Sequence, residues 1–91
     1  MKEPIYAGLF KRDVKRAEKR GKNIAALRTV LRLLITGEPI PSAYKDHPLK
    51  GNWKHYRDLH IEPDWLLIYK ADEAKNVWLV RTGTHADIFG T

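Results

Sequence analysis

No cysteine occurs anywhere in these 91 residues. Its absence excludes disulfide staples, a thiolate zinc site and a cysteine nucleophile, and leaves histidine and carboxylate as the metal ligands available. Apolar residues never run long enough to span a bilayer. The opening "MKEPIYAGLF" also lacks the extended apolar stretch and small-residue cleavage site of a signal peptide. A cytoplasmic protein with no membrane partner is therefore predicted. Internal repeats and low-complexity segments are missing too. At this length one domain, residues 1–91, can bury a single modest core, so any site must be a shallow groove on its surface.

Acidic residues are scarce where basic ones are dense. Residues 1–35 carry ten Lys or Arg against three Asp or Glu, whereas residues 36–91 carry seven against eight, so the net charge of +6 resides in the N-terminal third. Such a surface attracts nucleic acid or an acidic partner, because neutralised phosphates release counterions. A solvated helix face is the plain alternative. Phe10, Val14 and Ala17 recur at helical spacing, and Lys11, Arg12, Lys15, Arg16, Lys19 and Arg20 fall around the other side of the same wheel. After "RGKN", with Asn23 as N-cap, the residues Ile24, Leu27, Leu31 and Leu34 form a second apolar stripe that stops at Gly37. The two stretches predict an antiparallel helical hairpin.

The second half reads as sheet. "GEPIPSAY" holds two prolines and must connect. "HYRDLHI" alternates in part, "WLLIYK" is a continuous apolar run suited to a central strand covered by helices on one face, and "NVWLVRTG" is a third strand. "IEPDW" and "KADEAKN" supply turns, and "PIYAG" offers an added strand ahead of the first helix. The predicted class is α+β, a helical hairpin packed on one face of a small, mostly antiparallel sheet.

Three of the four histidines lie between Tyr44 and Trp65. Imidazoles titrate near neutral pH, so a cluster points to metal binding or proton transfer, with ordinary surface histidines as the bland alternative. His60 ends a strand and Asp64 follows four residues on, across a turn, where both can face one groove. His47 precedes a proline in an extended loop, and His85 lies just past the third strand, where a chain end is often unconstrained. His55, placed five residues before His60 on the same strand, should face the opposite side. None of His47, His60, Asp64 and His85 has the short paired spacing of a structural metal site or a helical zinc motif, so no metal is expected. Ser42 sits between proline and alanine, not on a glycine-flanked elbow, which leaves a hydrolase triad unsupported.

Taken together, "YAGLFKRDVKRAEKRGKN", "YKDHPLKGNWKHYRDLHIEPDWLLIYK" and "RTGTHADIFG" resemble the YafQ branch of the RelE-type toxins, bacterial type II toxin–antitoxin ribonucleases. The likeness covers nearly the whole chain, and its most specific parts are "DHPL", "HIEPDWLLIY" and "RTGTH" in that order. The resemblance implies two N-terminal helices against a twisted antiparallel sheet. It also implies cutting of messenger RNA in the ribosomal decoding site without metal or other cofactor, and neutralisation by a co-expressed antitoxin. The positions it marks are His47, His60, Asp64, His85 and Phe89, with Arg81 as a companion. His55 lies outside the pattern.

Metal-free RNA cleavage requires a 2′-hydroxyl to lose its proton and attack phosphorus while the departing 5′-oxygen gains one. The roles expected are His85 as acid, His60 or Asp64 as base, and His47 assisting charge stabilisation. Arg81 would hold phosphoryl oxygens bidentately. Phe89 would stack on a splayed base, as would Trp65 unless it is a core aromatic. Lys11, Arg12, Lys15, Arg16, Lys19, Arg20, Arg28 and Arg32 would dock on ribosomal RNA phosphates. An acidic, partly disordered antitoxin suits so basic a chain. The rival reading is a non-catalytic basic module for RNA or protein binding, with incidental histidines.

Overall fold

Residues Trp65 to Tyr69 are all buried, which is why they read as an unbroken apolar run: neither face of their strand meets water. The structure is a computed structural model that describes residues 1–90, and Thr91 lies outside the described residues. In chain order the elements are β1 (Glu3–Tyr6), α1 (Gly8–Lys19), α2 (Ile24–Thr36), β2 (His47–Pro48), β3 (Arg57–Glu62), β4 (Trp65–Ala71), β5 (Asn76–Gly83) and α3 (His85–Phe89). The sheet order is β1-β5-β4-β3-β2. Every neighbouring pair is antiparallel except β1 with β5, which is parallel. The class is α+β, as the periodicity predicts.

Strand alternation sorts the core into two layers. Leu59, Leu67, Tyr69, Val77 and Leu79 meet Phe10, Val30 and Leu34 from the hairpin helices, and Trp65 packs with Ala17 and Leu27. Leu66 and Ile68 point the other way, under Ile88 of α3 and beside Leu49, Trp53, Tyr56, Val80 and Phe89. The central strand is thus covered on both faces, not by the helical hairpin alone.

Local signals mostly hold. Asn23 accepts the Ala26 N–H at the start of α2, and Gly37 closes that helix at φ 76°. The deep residues of α2 are Leu27, Val30 and Leu34, with Ile24 and Leu31 half-buried. Two expectations are corrected. His55 is not on a strand: it sits in a turn at φ 80°, and β3 begins only at Arg57, so the alternation argument for its face does not apply. The C-terminal segment is not a loose end but α3. There Thr84 accepts the Asp87 N–H while Asp87 accepts the Thr84 N–H, a reciprocal cap that satisfies two otherwise orphaned donors. Among the described residues no helix is long and apolar enough to cross a membrane.

Candidate active site

The sheet register builds the site. Asp58 lies opposite Ile68 and His60 opposite Leu66, so both share the face that α3 covers. On the outer side His47 of β2 lies opposite Asp58 and joins the same face. His85 opens α3, directly above. Ring centroids are 6.1 Å apart for His47 and His60, 5.8 Å for His60 and His85, and 6.4 Å for His85 and Phe89. Three imidazoles and one phenyl ring thus form a row along a half-exposed surface.

Polar contacts hold the two ends of the row. Asp46 accepts from the Tyr69 hydroxyl at 2.6 Å and from Arg57 Nε at 3.1 Å, tying the His47 loop to β3 and β4. Burial, and then the Asp46 carboxylate, push the Tyr69 hydroxyl well above the usual phenol range, which keeps it a donor. His47 Nδ1 lies 2.7 Å from the Lys45 carbonyl. A carbonyl only accepts, so Nδ1 carries the proton and Nε2 is left facing Asp58. At the other end, Asp64 Oδ1 accepts the His85 backbone N–H at 3.0 Å and lies 2.6 Å from His85 Nδ1. The backbone bond first, then the ring bond, hold the Asp64 carboxyl below the usual carboxylate range. Asp64 therefore pairs with His85, not with His60, and leaves His85 Nε2 without a hydrogen-bond partner among the described residues.

Several expected site residues have other work. Arg81 donates to buried Asp13 through Nε at 2.7 Å and a terminal nitrogen at 3.2 Å, so one edge of the fork expected to grip phosphoryl oxygens is engaged by a carboxylate. Trp65 is 1% exposed and donates its indole N–H to Thr82 Oγ1 at 2.9 Å; it is a core aromatic and cannot stack on a base. Arg20 grips Asp87 at 2.7 and 3.2 Å, and Arg16 spans Asp13 at 2.9 Å and Asp87 at 3.6 Å. Both fasten α1 to α3. Lys11, Arg12, Lys15, Lys19, Arg28 and Arg32 remain exposed.

Asp58 is not singled out by the sequence pattern alone. Its signal was the two-residue offset in "DLH", which puts it on the same strand face as His60. His47, Asp58 and His60 offer donor atoms that all lie within 4.8 Å of one another, a set that could share a metal ion and that spacing along the chain did not reveal.

Residues 2–90 match the family described as bacterial toxin of type II toxin-antitoxin system, YafQ. The mRNA interferase toxin YafQ of Escherichia coli K12 is 52% identical over 86 residues, covering 93% of this chain and 92% of that protein. In the crystal structure of the E. coli DinJ-YafQ toxin-antitoxin complex, a chain of 50% identity superposes with a TM-score of 0.90, covering 98% of each. A metal-bound toxin from Helicobacter pylori superposes with a TM-score of 0.90 at 37% identity, covering 98% of this chain and 100% of that one. Matched to the family model over residues 2–90 and superposing over nearly its whole length on these relatives, the chain belongs to the YafQ family of bacterial type II toxin–antitoxin toxins.

Proposed function

We propose that this chain is an mRNA interferase, an endoribonuclease that cuts translated messenger RNA on the ribosome, in the cytoplasm, by acid–base chemistry. The supporting observation is the row of His47, His60 and His85, brought from β2, β3 and α3 onto one accessible face beside Phe89. In this reading His60 takes the proton of the 2′-hydroxyl, and His85, oriented by Asp64, gives one to the departing 5′-oxygen through Nε2. His47, when it is protonated, adds positive charge near the phosphorane. Each proton transfer contributes roughly a hundred- to ten-thousand-fold in rate. Asp64 acts as orienter and not as base, because its Oδ1 is engaged by His85. Phe89 at the end of the row offers a stacking face for an unpaired base.

Docking falls to Lys11, Arg12, Lys15, Lys19, Arg28 and Arg32, which meet ribosomal RNA phosphates without sequence preference. An acidic, partly disordered antitoxin segment neutralises the toxin. The apolar groove between α1 and α2, lined by Phe10, Val14, Leu27 and Leu31 and rimmed by Lys11, Lys15 and Arg28, suits it.

Induced expression without antitoxin is expected to arrest bacterial growth and fragment translated messages, with His85→Ala abolishing both. Normal growth with intact messages at high expression would contradict the reading. A non-catalytic binding module would instead inhibit equally well with the histidines removed. Since His47, Asp58 and His60 could share a metal ion, cleavage should also be followed after brief chelation that spares the ribosome. Persistence is expected, whereas loss reversed specifically by zinc would replace the metal-free mechanism.

A further inference from the structure

We infer that Asp58 is a positioning residue of the proposed reaction: its buried carboxylate keeps the proton of neutral His60 on Nε2, so that Nδ1 is the atom that receives the 2′-hydroxyl proton. The inference rests on the ribonuclease reading and deepens it. The Asp58 side chain is only 5% exposed, and its Oδ2 lies 3.6 Å from His60 Nε2 and 3.7 Å from His47 Nε2. Its Oδ1 has no partner among the described residues. A buried carboxylate with one oxygen unpaired costs stability that an apolar residue opposite Ile68 would not. The fold alone gives no reason to keep it.

The two imidazoles facing Oδ2 are not equivalent. His47 has its ring proton on Nδ1, bound to the Lys45 carbonyl, so in its neutral form Nε2 offers Asp58 only a lone pair. Only His60 can present an N–H to Oδ2 while staying neutral. Both distances exceed a hydrogen bond, as catalytic contacts often do before substrate tightens them. Burial raises the Asp58 carboxyl, partly offset by His60, then His47 and His85, while Asp46 adds to the rise.

The test is nitrogen-15 NMR of the His60 ring at mildly alkaline pH, with chelator and without ribosomes, in wild type, Asp58→Asn and Asp58→Leu. Single-turnover cleavage, ribosome association and melting temperature are measured alongside. The wild type is expected to show the proton on Nε2. Both variants should shift it toward Nδ1 and cleave roughly a hundredfold more slowly, with ribosome association unchanged. Asp58→Leu should melt no lower than wild type; if it fails to fold, the near-isosteric Asp58→Asn carries the comparison. An unchanged tautomer, or cleavage lost only in proportion to association, would overturn the role. If wild type itself does not cut RNA, the ribonuclease reading fails while the ring spectra still decide whether Asp58 holds the tautomer.

Discussion

Arg81 reaches Asp13 across 68 positions of sequence, and no local pattern announces such a pair. Asp13 is buried and accepts from Arg16, Arg81 and the Thr82 N–H. Removing one cation from it should cost about 3 kcal/mol, since the buried charge loses its main partner. Arg81→Ala is therefore expected to lower the urea midpoint strongly, and wild-type stability with lost cleavage would return Arg81 to the substrate. Trp65→Phe removes the indole N–H that Thr82 Oγ1 accepts, at about 1 kcal/mol, while the Thr82 hydroxyl keeps its bond to the Leu66 carbonyl, and should leave cleavage by the folded fraction intact. His47, His60 and His85 were legible because histidine is rare and chemically distinctive. Their companion Asp58 was not, since carboxylates are common and only strand register reveals that this one faces the imidazoles. Trp65 was open to two readings because an aromatic at a strand start fits a core as readily as a base platform.

Five residues make too short a helix to stand alone, so α3 depends on what holds it. Thr84 and Asp87 cap it, and Arg20 clamps Asp87 to α1. Gly83 lets it close: a Cβ there would sit 2.9 Å from the Asp87 Cβ. Gly83→Ala should displace α3, and His85 with it, lowering cleavage more than overall stability. Amide exchange across residues 84–90 reports this, and an unperturbed α3 would show that the glycine is dispensable. The same clamp sets an acid limit. Arg20 first, helped by Thr84 and Arg16, holds the Asp87 carboxyl far below its ordinary value. A depressed folded-state pKa contributes stability that is present above the unfolded value, about 3.9, and is lost as pH falls through the folded one. Asp72, held down to about 2 chiefly by the Trp78 N–H, acts in the same direction. Stability should therefore fall below about pH 4, and Asp87→Asn should flatten part of that slope; an identical slope would show that the clamp contributes nothing. Long periodic helices and the apolar central strand were plain in the sequence. This helix was not, because five residues hold no period, and its one signal was the cap spacing in "THAD".

Across the whole molecule, the helical hairpin with its exposed cations and the row of histidines beside α3 lie on opposite faces of the sheet, and the proposed function assigns docking to the first and cutting to the second. Replacing Lys11, Lys15 and Lys19 together should weaken ribosome association and flatten its salt dependence by roughly one unit of log–log slope per lost phosphate contact. Replacing Arg16 and Arg20 should instead loosen α3 and leave that slope nearly unchanged. The order of α1, α2, β3, β4 and β5 followed from hydrophobic periodicity, whereas β2, whose His47 reads as loop, did not. The parallel pairing of β1 with β5 did not, because the direction of an edge strand is set by the crossover that α1 and α2 supply, not by its own four residues. Whether the histidine face is the cutting site is decided most directly by measuring ribosome association and single-turnover cleavage side by side for His60→Ala and His85→Ala. Association close to wild type with cleavage slower by roughly a hundredfold or more is expected, since an acid or base acts on the transition state and little on ground-state binding. Cleavage and association falling in equal proportion would make these histidines contact residues and contradict the acid–base assignment.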